Sequence, residues 1–211
     1  MLDVGCGRGD FLHYLRRTHS GLTLTGIELT EPPAVEGIRF LKGDAVTTHV
    51  DGSFDVVVSL AVIEHIPDVK AFARRLVELC RPGGVICVMT INEASVLYGL
   101  ARAARRVGVP LAFNRLYKRH HVQHFTTRSL AELFRRERVV LERAFTHNGM
   151  LAATDIPVSS RVVDAGLRGS VALIMAAGWA CRRMYLPTAF VERRTRRKGS
   201  AEPSLCAWKP W

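Results

Sequence analysis

The chain has 211 residues, 48% apolar and 23% charged, which excludes collagen-like, low-complexity and wholly disordered proteins and suits one domain of generous size. Thirty Lys and Arg against nineteen Asp and Glu give a formal charge of +11, suggesting at first a nucleic-acid or anionic-membrane partner. The charge is unevenly divided: residues 1–100 carry 9 basic and 12 acidic side chains (net −3), residues 101–145 carry 11 and 3 (net +8), and residues 182–199 carry 7 and 1 (net +6). Whatever the first hundred residues bind, bulk cationic charge is not the means. The five cysteines, Cys6, Cys80, Cys87, Cys181 and Cys206, are odd in number and contain no C-x-x-C pair, so the expectation is a reduced, cytoplasmic chain. The longest uncharged apolar run, Gly169 to Cys181, falls short of the roughly 20 residues of a spanning helix.

In chain order, short β-branched runs alternate with helical patterns, which predicts βαβ units and a parallel sheet. Leu2 to Val4 is a strand ending in glycines, and Phe11, Leu12 and Leu15 follow at helical spacing. Leu22–Leu29, Ile38–Leu41 and Phe54–Leu60 are the next strands, the last apolar enough for a sheet covered on both faces. Pro67-Asp68 opens a helix running to about Leu79, which Arg81-Pro-Gly-Gly84 stops before a fifth strand, Gly84–Ile91. Ala94–Arg106 is helical and basic, Val107–Pro110 breaks it, and Thr127 starts a helix with Leu130, Leu133 and Phe134 as its apolar stripe. Val140–Phe145 reads as a strand, Val162–Leu186 as an apolar helix, Arg193–Ser200 as a basic loop and Ser204–Trp208 as a last strand.

The chemistry-bearing element is Asp3-Val-Gly-Cys-Gly-Arg-Gly9, at a strand-to-helix turn where glycines let the backbone approach a ligand and helix-start N–H groups lie beside it. A dinucleotide fingerprint would need its last glycine where Asp10 stands, which argues against a dehydrogenase. Three further strand ends carry candidate partners. Glu28 can accept both hydroxyls of a ribose, Asp44 stands where an adenine amino group would arrive, and Leu60 to Asp68, with Glu64-His65-Ile66-Pro67, follows the fourth strand.

The segments LDVGCGRGDFL, TGIELTE, FLKGDA, FDVVVSLAVIEHIPD and RPGGVICV, in this order over residues 1–92, resemble class I S-adenosylmethionine-dependent methyltransferases. HVQHFTTRSLAELF at 121–134 resembles a stretch of the small-molecule subgroup that modifies ubiquinone-type, sugar or lipid acceptors. The resemblance implies a single α/β domain with a Rossmann-like, seven-stranded, mostly parallel sheet, its last strand antiparallel and helices on both faces. Residues 1–92 would form the cofactor core, and residues 93–139 and 146–203 helical lid insertions on the acceptor side. The cofactor implied is S-adenosyl-L-methionine: Asp3, Gly5, Gly7 and Gly9 would frame its methionine moiety, Glu28 with Leu29 its ribose, Asp44 with Ala45 its adenine, and Leu60, Ala61 and His65 its sulfonium side. Family members carry a helix and a longer first strand before the glycine motif, so a shortened start is expected where Met1 abuts it.

The sulfonium activates the methyl group, leaving the enzyme to align an acceptor and help remove its proton. His65 and His124 are the candidate bases. His120 and His124 would share a face on a helix, but no carboxylate stands at ligand spacing and Lys118-Arg119 would repel a cation, so no metal site is expected. Val171–Cys181, running into Arg182-Arg183, together with Arg193–Lys198, would allow peripheral contact with an anionic membrane. The expected function is methyl transfer, most simply O-methylation, to a small-molecule or lipid-like acceptor. Two alternatives are an RNA methyltransferase, which the net charge favours and the lack of an Asn/Asp-Pro-Pro-aromatic motif at Ser59–Val62 disfavours, and a non-catalytic nucleoside-fold protein that binds a partner or membrane.

Overall fold

The structure, a computed structural model, describes residues 1–31, 34–117, 120–147 and 186–192. Five strands run parallel: β1 (Leu2–Val4), β2 (Leu24–Glu28), β3 (Ile38–Lys42), β4 (Phe54–Leu60) and β5 (Cys80–Met89). Two more, β6 (Val140–His147) and β7 (Leu186–Glu192), extend the sheet to the order β3-β2-β1-β4-β5-β7-β6, with β7 antiparallel to both its neighbours. The chain steps outward from β1 through β2 to β3, then crosses back to β4 and β5. That reversal opens a crevice beyond the carboxyl ends of β1 and its neighbours, where open α/β sheets bind ligands.

Helices pack where apolar spacing predicts. On one side, α1 (Asp10–Thr18) buries Leu12 against Leu24 and Ile38. Leu2, Val4, Ile27, Val57, Ile86 and Val88 instead pack with Phe72, Ala73 and Leu76 of α2 (Val69–Leu79) and with Leu130 and Phe134 of α5 (Thr127–Arg136). Caps set the helix starts: Asp68 Oδ1 accepts from the Lys70 and Ala71 N–H groups, and Thr126 and Ser129 form a reciprocal cap on α5. Helix α3 (Val96–Arg106) starts at Ser95, whose side chain accepts from the Tyr98 N–H.

Several boundaries depart from the sequence reading. The seventh strand is Leu186–Glu192, not Ser204–Trp208, which lies outside the described residues, as does the expected helix over 162–185; Leu186 itself belongs to β7. Pro187 argues against a strand from sequence alone, yet it sits beyond the β5 ladder, whose last pair is Met89 with Thr188, so its missing N–H leaves that ladder intact. The Pro-Gly-Gly stretch does not precede the fifth strand but lies inside it, at a register irregularity between Phe54 and Val56. A short helix absent from the sequence reading, α4 (Leu111–Leu116), follows Pro110.

Gly26 shows how closely α1 approaches the sheet: a Cβ there would stand 2.7 Å from Cys6 Sγ, 2.8 Å from Leu12 Cδ1 and 3.0 Å from Phe40 Cδ1. Gly26→Ala should therefore overpack this face and cost about 1–3 kcal/mol, read as a lower urea midpoint at unchanged slope.

Candidate active site

The turn after β1 is shaped by its glycines. Gly5 has φ +76° and a Cβ there would collide with Val62, so this backbone and the segment after β4 approach more closely than any side chain allows. Gly7 has φ +53° with open space where a Cβ would stand, and its N–H donates to Glu28 Oε2 at 2.8 Å. The second carboxylate oxygen of Glu28 accepts the Leu29 N–H, also at 2.8 Å. Each oxygen keeps a further lone pair for a ligand hydroxyl.

After β3, Asp44 Oδ1 accepts the Val46 N–H at 2.7 Å and the Asp44 carbonyl accepts the Thr48 N–H. Arg75 of α2 braces this turn from behind, donating to the Ala45 and Thr48 carbonyls. After β4, Ala61 adopts φ +57°, a conformation that costs a residue with a Cβ roughly 1–2 kcal/mol. The following 3₁₀ turn, Ile63–His65, sends adjacent side chains opposite ways: Glu64 is buried and accepts from Thr90 Oγ1 at 2.8 Å, whereas His65 is exposed.

These turns enclose a cleft of about 300 Å³. Of the cofactor-site residues expected from sequence, Gly5, Glu28, Leu29, Asp44, Ala45, Ala61 and His65 line it. The remaining four do not: Asp3 is buried in β1, Gly7 acts through Glu28, Gly9 caps α1 beside Phe40, and Leu60 ends β4. Ile27, Val46 and Phe72 also line the cleft, though none of them was singled out from the sequence. Ile27 and Val46 adjoin recognised positions; Phe72 looks like an ordinary core residue of α2, and only helix packing brings it here.

His65 Nδ1 lies 2.8 Å from the His120 carbonyl. A carbonyl can only accept, so Nδ1 carries the hydrogen and neutral His65 presents Nε2 as a base. It does not cap α2, which Asp68 does. Residues 121–124 are not helical, so His120 and His124 do not pair at helical spacing. His120 stacks on His65 with centroids 5.4 Å apart, His121 stands 5.0 Å from His65, and His124 instead packs 4.6 Å from Tyr117. Burial, then the neighbouring His120 and His65, lowers His121 to about 4, keeping it neutral at physiological pH. Tyr117 donates to Glu93 Oε1 and accepts from Arg102. Among the described residues, no group of three or more His, Cys, Asp or Glu side chains is arranged to hold a metal ion.

Residues 1–137 match the family described as "Methyltransferase domain". The chain belongs to this methyltransferase family. It is 32% identical over 113 residues to a ubiquinone biosynthesis O-methyltransferase of Pseudomonas entomophila (strain L48), covering 48% of each chain. It is 38% identical over 105 residues to a 2-methyl-6-phytyl-1,4-hydroquinone methyltransferase of Synechocystis sp., covering 44% of this chain and 32% of that protein. The chain thus spans at most about half the length of these relatives. Among solved structures, the Burkholderia thailandensis 1,6-didemethyltoxoflavin-N1-methyltransferase, with bound 1,6-didemethyltoxoflavin and S-adenosylhomocysteine, shares the fold at TM-score 0.57 and 16% identity, over 92% of this chain and 70% of that one.

For a methyltransferase of this family, the cleft fits S-adenosylmethionine: two carboxylates at neighbouring strand ends flank an apolar slot walled by Leu29, Val46 and Ile66, matching the polar and flat parts of an adenosine. Burial, reinforced by nearby Glu28, pushes the Asp3 carboxyl from 3.8 up to about 7, and burial with Asp3's charge pushes the Cys6 and Cys87 thiols to about 12, which leaves them inert at neutral pH. Between those two values for Asp3 the unfolded chain gives up its proton first, so stability falls as pH rises through the window. Asp3→Asn removes this loss: in a ligand-free melting series, wild type and variant should converge near about pH 4, with the variant the more stable at about pH 8.

Proposed function

We propose that this chain transfers the methyl group of S-adenosylmethionine to an oxygen nucleophile on a small-molecule acceptor of quinol-like or other amphiphilic type. The observation that carries the reading is the pairing of Glu28 and Asp44 across an apolar slot, with the Nε2 base of His65 lining the same cleft. The names of the two curated relatives, one ubiquinone O-methyltransferase and one hydroquinone methyltransferase, support the acceptor class.

In this reading Glu28 holds the ribose diol and Asp44 the adenine amino group, with Leu29 and Ala45 beside them. Asp3, buried beneath the Gly5, Gly7 and Gly9 turn, stands behind the backbone that frames the methionine end, and Leu60 and Ala61 shape the floor below the sulfur. S-adenosylmethionine supplies a methyl group already activated by its sulfonium. The protein's task is then alignment, which can supply on the order of 7–11 kcal/mol of a barrier. His65 takes the acceptor's proton at Nε2 while its Nδ1–H stays on the His120 carbonyl, steadying the imidazolium. Residues 93–139 act as the acceptor-side wall, with His121 kept neutral and His124 held in the aromatic layer; of the second expected lid segment, 146–203, most lies outside the described residues.

Calorimetry tests the donor site: Glu28→Ala should weaken S-adenosylmethionine binding by about 100-fold or more, each lost charge-assisted hydrogen bond being worth about 1.5–3 kcal/mol, and unchanged affinity would overturn the assignment. Radiolabelled methyl transfer to lipid, small-metabolite and RNA fractions tests the acceptor, with label expected in the first two. On the acceptor so found, His65→Ala should lower kcat about 10²–10⁴-fold while leaving donor affinity within about twofold.

A further inference from the structure

The corner joining α3 to α4 has an exposed surface outside the cleft. Residues 105–112, Arg-Arg-Val-Gly-Val-Pro-Leu-Ala, are all exposed, and the apolar side chains are prominent, with Val107 79%, Leu111 62% and Val109 55% accessible. Three large aliphatic side chains held in water at one turn are costly unless something covers them. The electrostatics identify what that is. Between residues 94 and 131 the chain carries seven Lys or Arg and no Asp or Glu, and Arg105 and Arg106 stand at the base of the apolar tip.

The corner is also rigidly tied to the site. Arg105 lies over the Phe113 ring at 4.0 Å, Phe113 stacks on Tyr117 at 4.1 Å, and Tyr117 meets His124 at 4.6 Å. The Tyr98 hydroxyl joins α3 to α4 by donating to the Leu116 carbonyl. One aromatic layer thus runs from the tip to the histidines beside the cleft.

We propose that the α3–α4 corner is an anionic-bilayer docking edge: Val107, Val109 and Leu111 enter the headgroup–acyl boundary, and Arg105 and Arg106 pair with lipid phosphates. An apolar tip flanked by two arginines fits this partner. RNA would instead call for exposed aromatic platforms, whereas Phe113 and Tyr117 are stacked on one another and half-buried. The surface is separate from the donor cleft and does not rest on the acceptor assignment. It lies outside residues 171–198, where composition alone placed a membrane contact.

Sedimentation of the full chain with vesicles tests the proposal. Wild type should bind vesicles of equal phosphatidylglycerol and phosphatidylcholine and not phosphatidylcholine alone. V107D/L111D should lower partitioning at least about tenfold and R105Q/R106Q should remove the preference for anionic lipid, an electrostatic attraction that also weakens with salt. Calorimetric S-adenosylmethionine affinity, unchanged in both variants, confirms folding independently of any acceptor. Failure of wild type to sediment at low salt overturns the proposal. So does undiminished vesicle binding by V107D/L111D, or a loss in these variants of RNA binding alone.

Discussion

The hydrogen bond from the Gly7 N–H to Glu28 Oε2 joins the turn after β1 to the end of β2, and the shape of the cleft depends on it. A glutamate at an exposed strand end would ordinarily lose rotamer entropy on ordering; here two backbone N–H groups have already fixed both carboxylate oxygens. The carboxylate is thus aimed before any ligand arrives, and the bond requires the positive φ at Gly7. The neighbouring Asp44 turn uses the same device on a smaller scale, a side-chain oxygen on its own Val46 N–H, while Arg75 supports it from α2.

Several features of the site cost stability. Asp3 is buried with its carboxyl pushed up to about 7, Ala61 is held in a left-handed conformation, and among the described residues the buried His124 Nε2 finds no hydrogen-bond partner. Such costs persist only where the surrounding structure over-determines them, and they concentrate at functional sites. Here the support comes from the parallel β1–β4 ladder, from Ala61 donating to the Met89 carbonyl, and from a packed layer of Tyr98, Tyr117 and the histidines.

The positive charge, read at first as a sign of nucleic acid, has a different meaning once placed in the fold. Among the described residues the cleft is lined by two carboxylates and no Lys or Arg, while cations gather on α3 and α5. On α5 part of that charge is spent locally, with Arg135 and Arg136 both reaching Glu132. At the α3–α4 corner Arg106 has no carboxylate nearby in sequence, and there the charge borders exposed aliphatic side chains.

The parallel core and much of the cleft's lining were legible in the sequence because local pattern decides them: continuous apolar runs, the glycine turn after β1, and carboxylates at successive strand ends. Tertiary structure decided what depends on distant segments. It placed the seventh strand at Leu186–Glu192, with Pro187 paired only to β6 beyond the β5 ladder that ends at Thr188, and it brought Phe72 into the cleft. It also separated the two candidate histidines. His65 gains a defined tautomer from a carbonyl 55 residues away, whereas His124 packs into an aromatic layer, since residues 121–124 do not wind into a helix. Residue type and spacing specify a turn or a strand; a proton's position on an imidazole is set by whichever atom lies opposite, and only the folded chain supplies that atom.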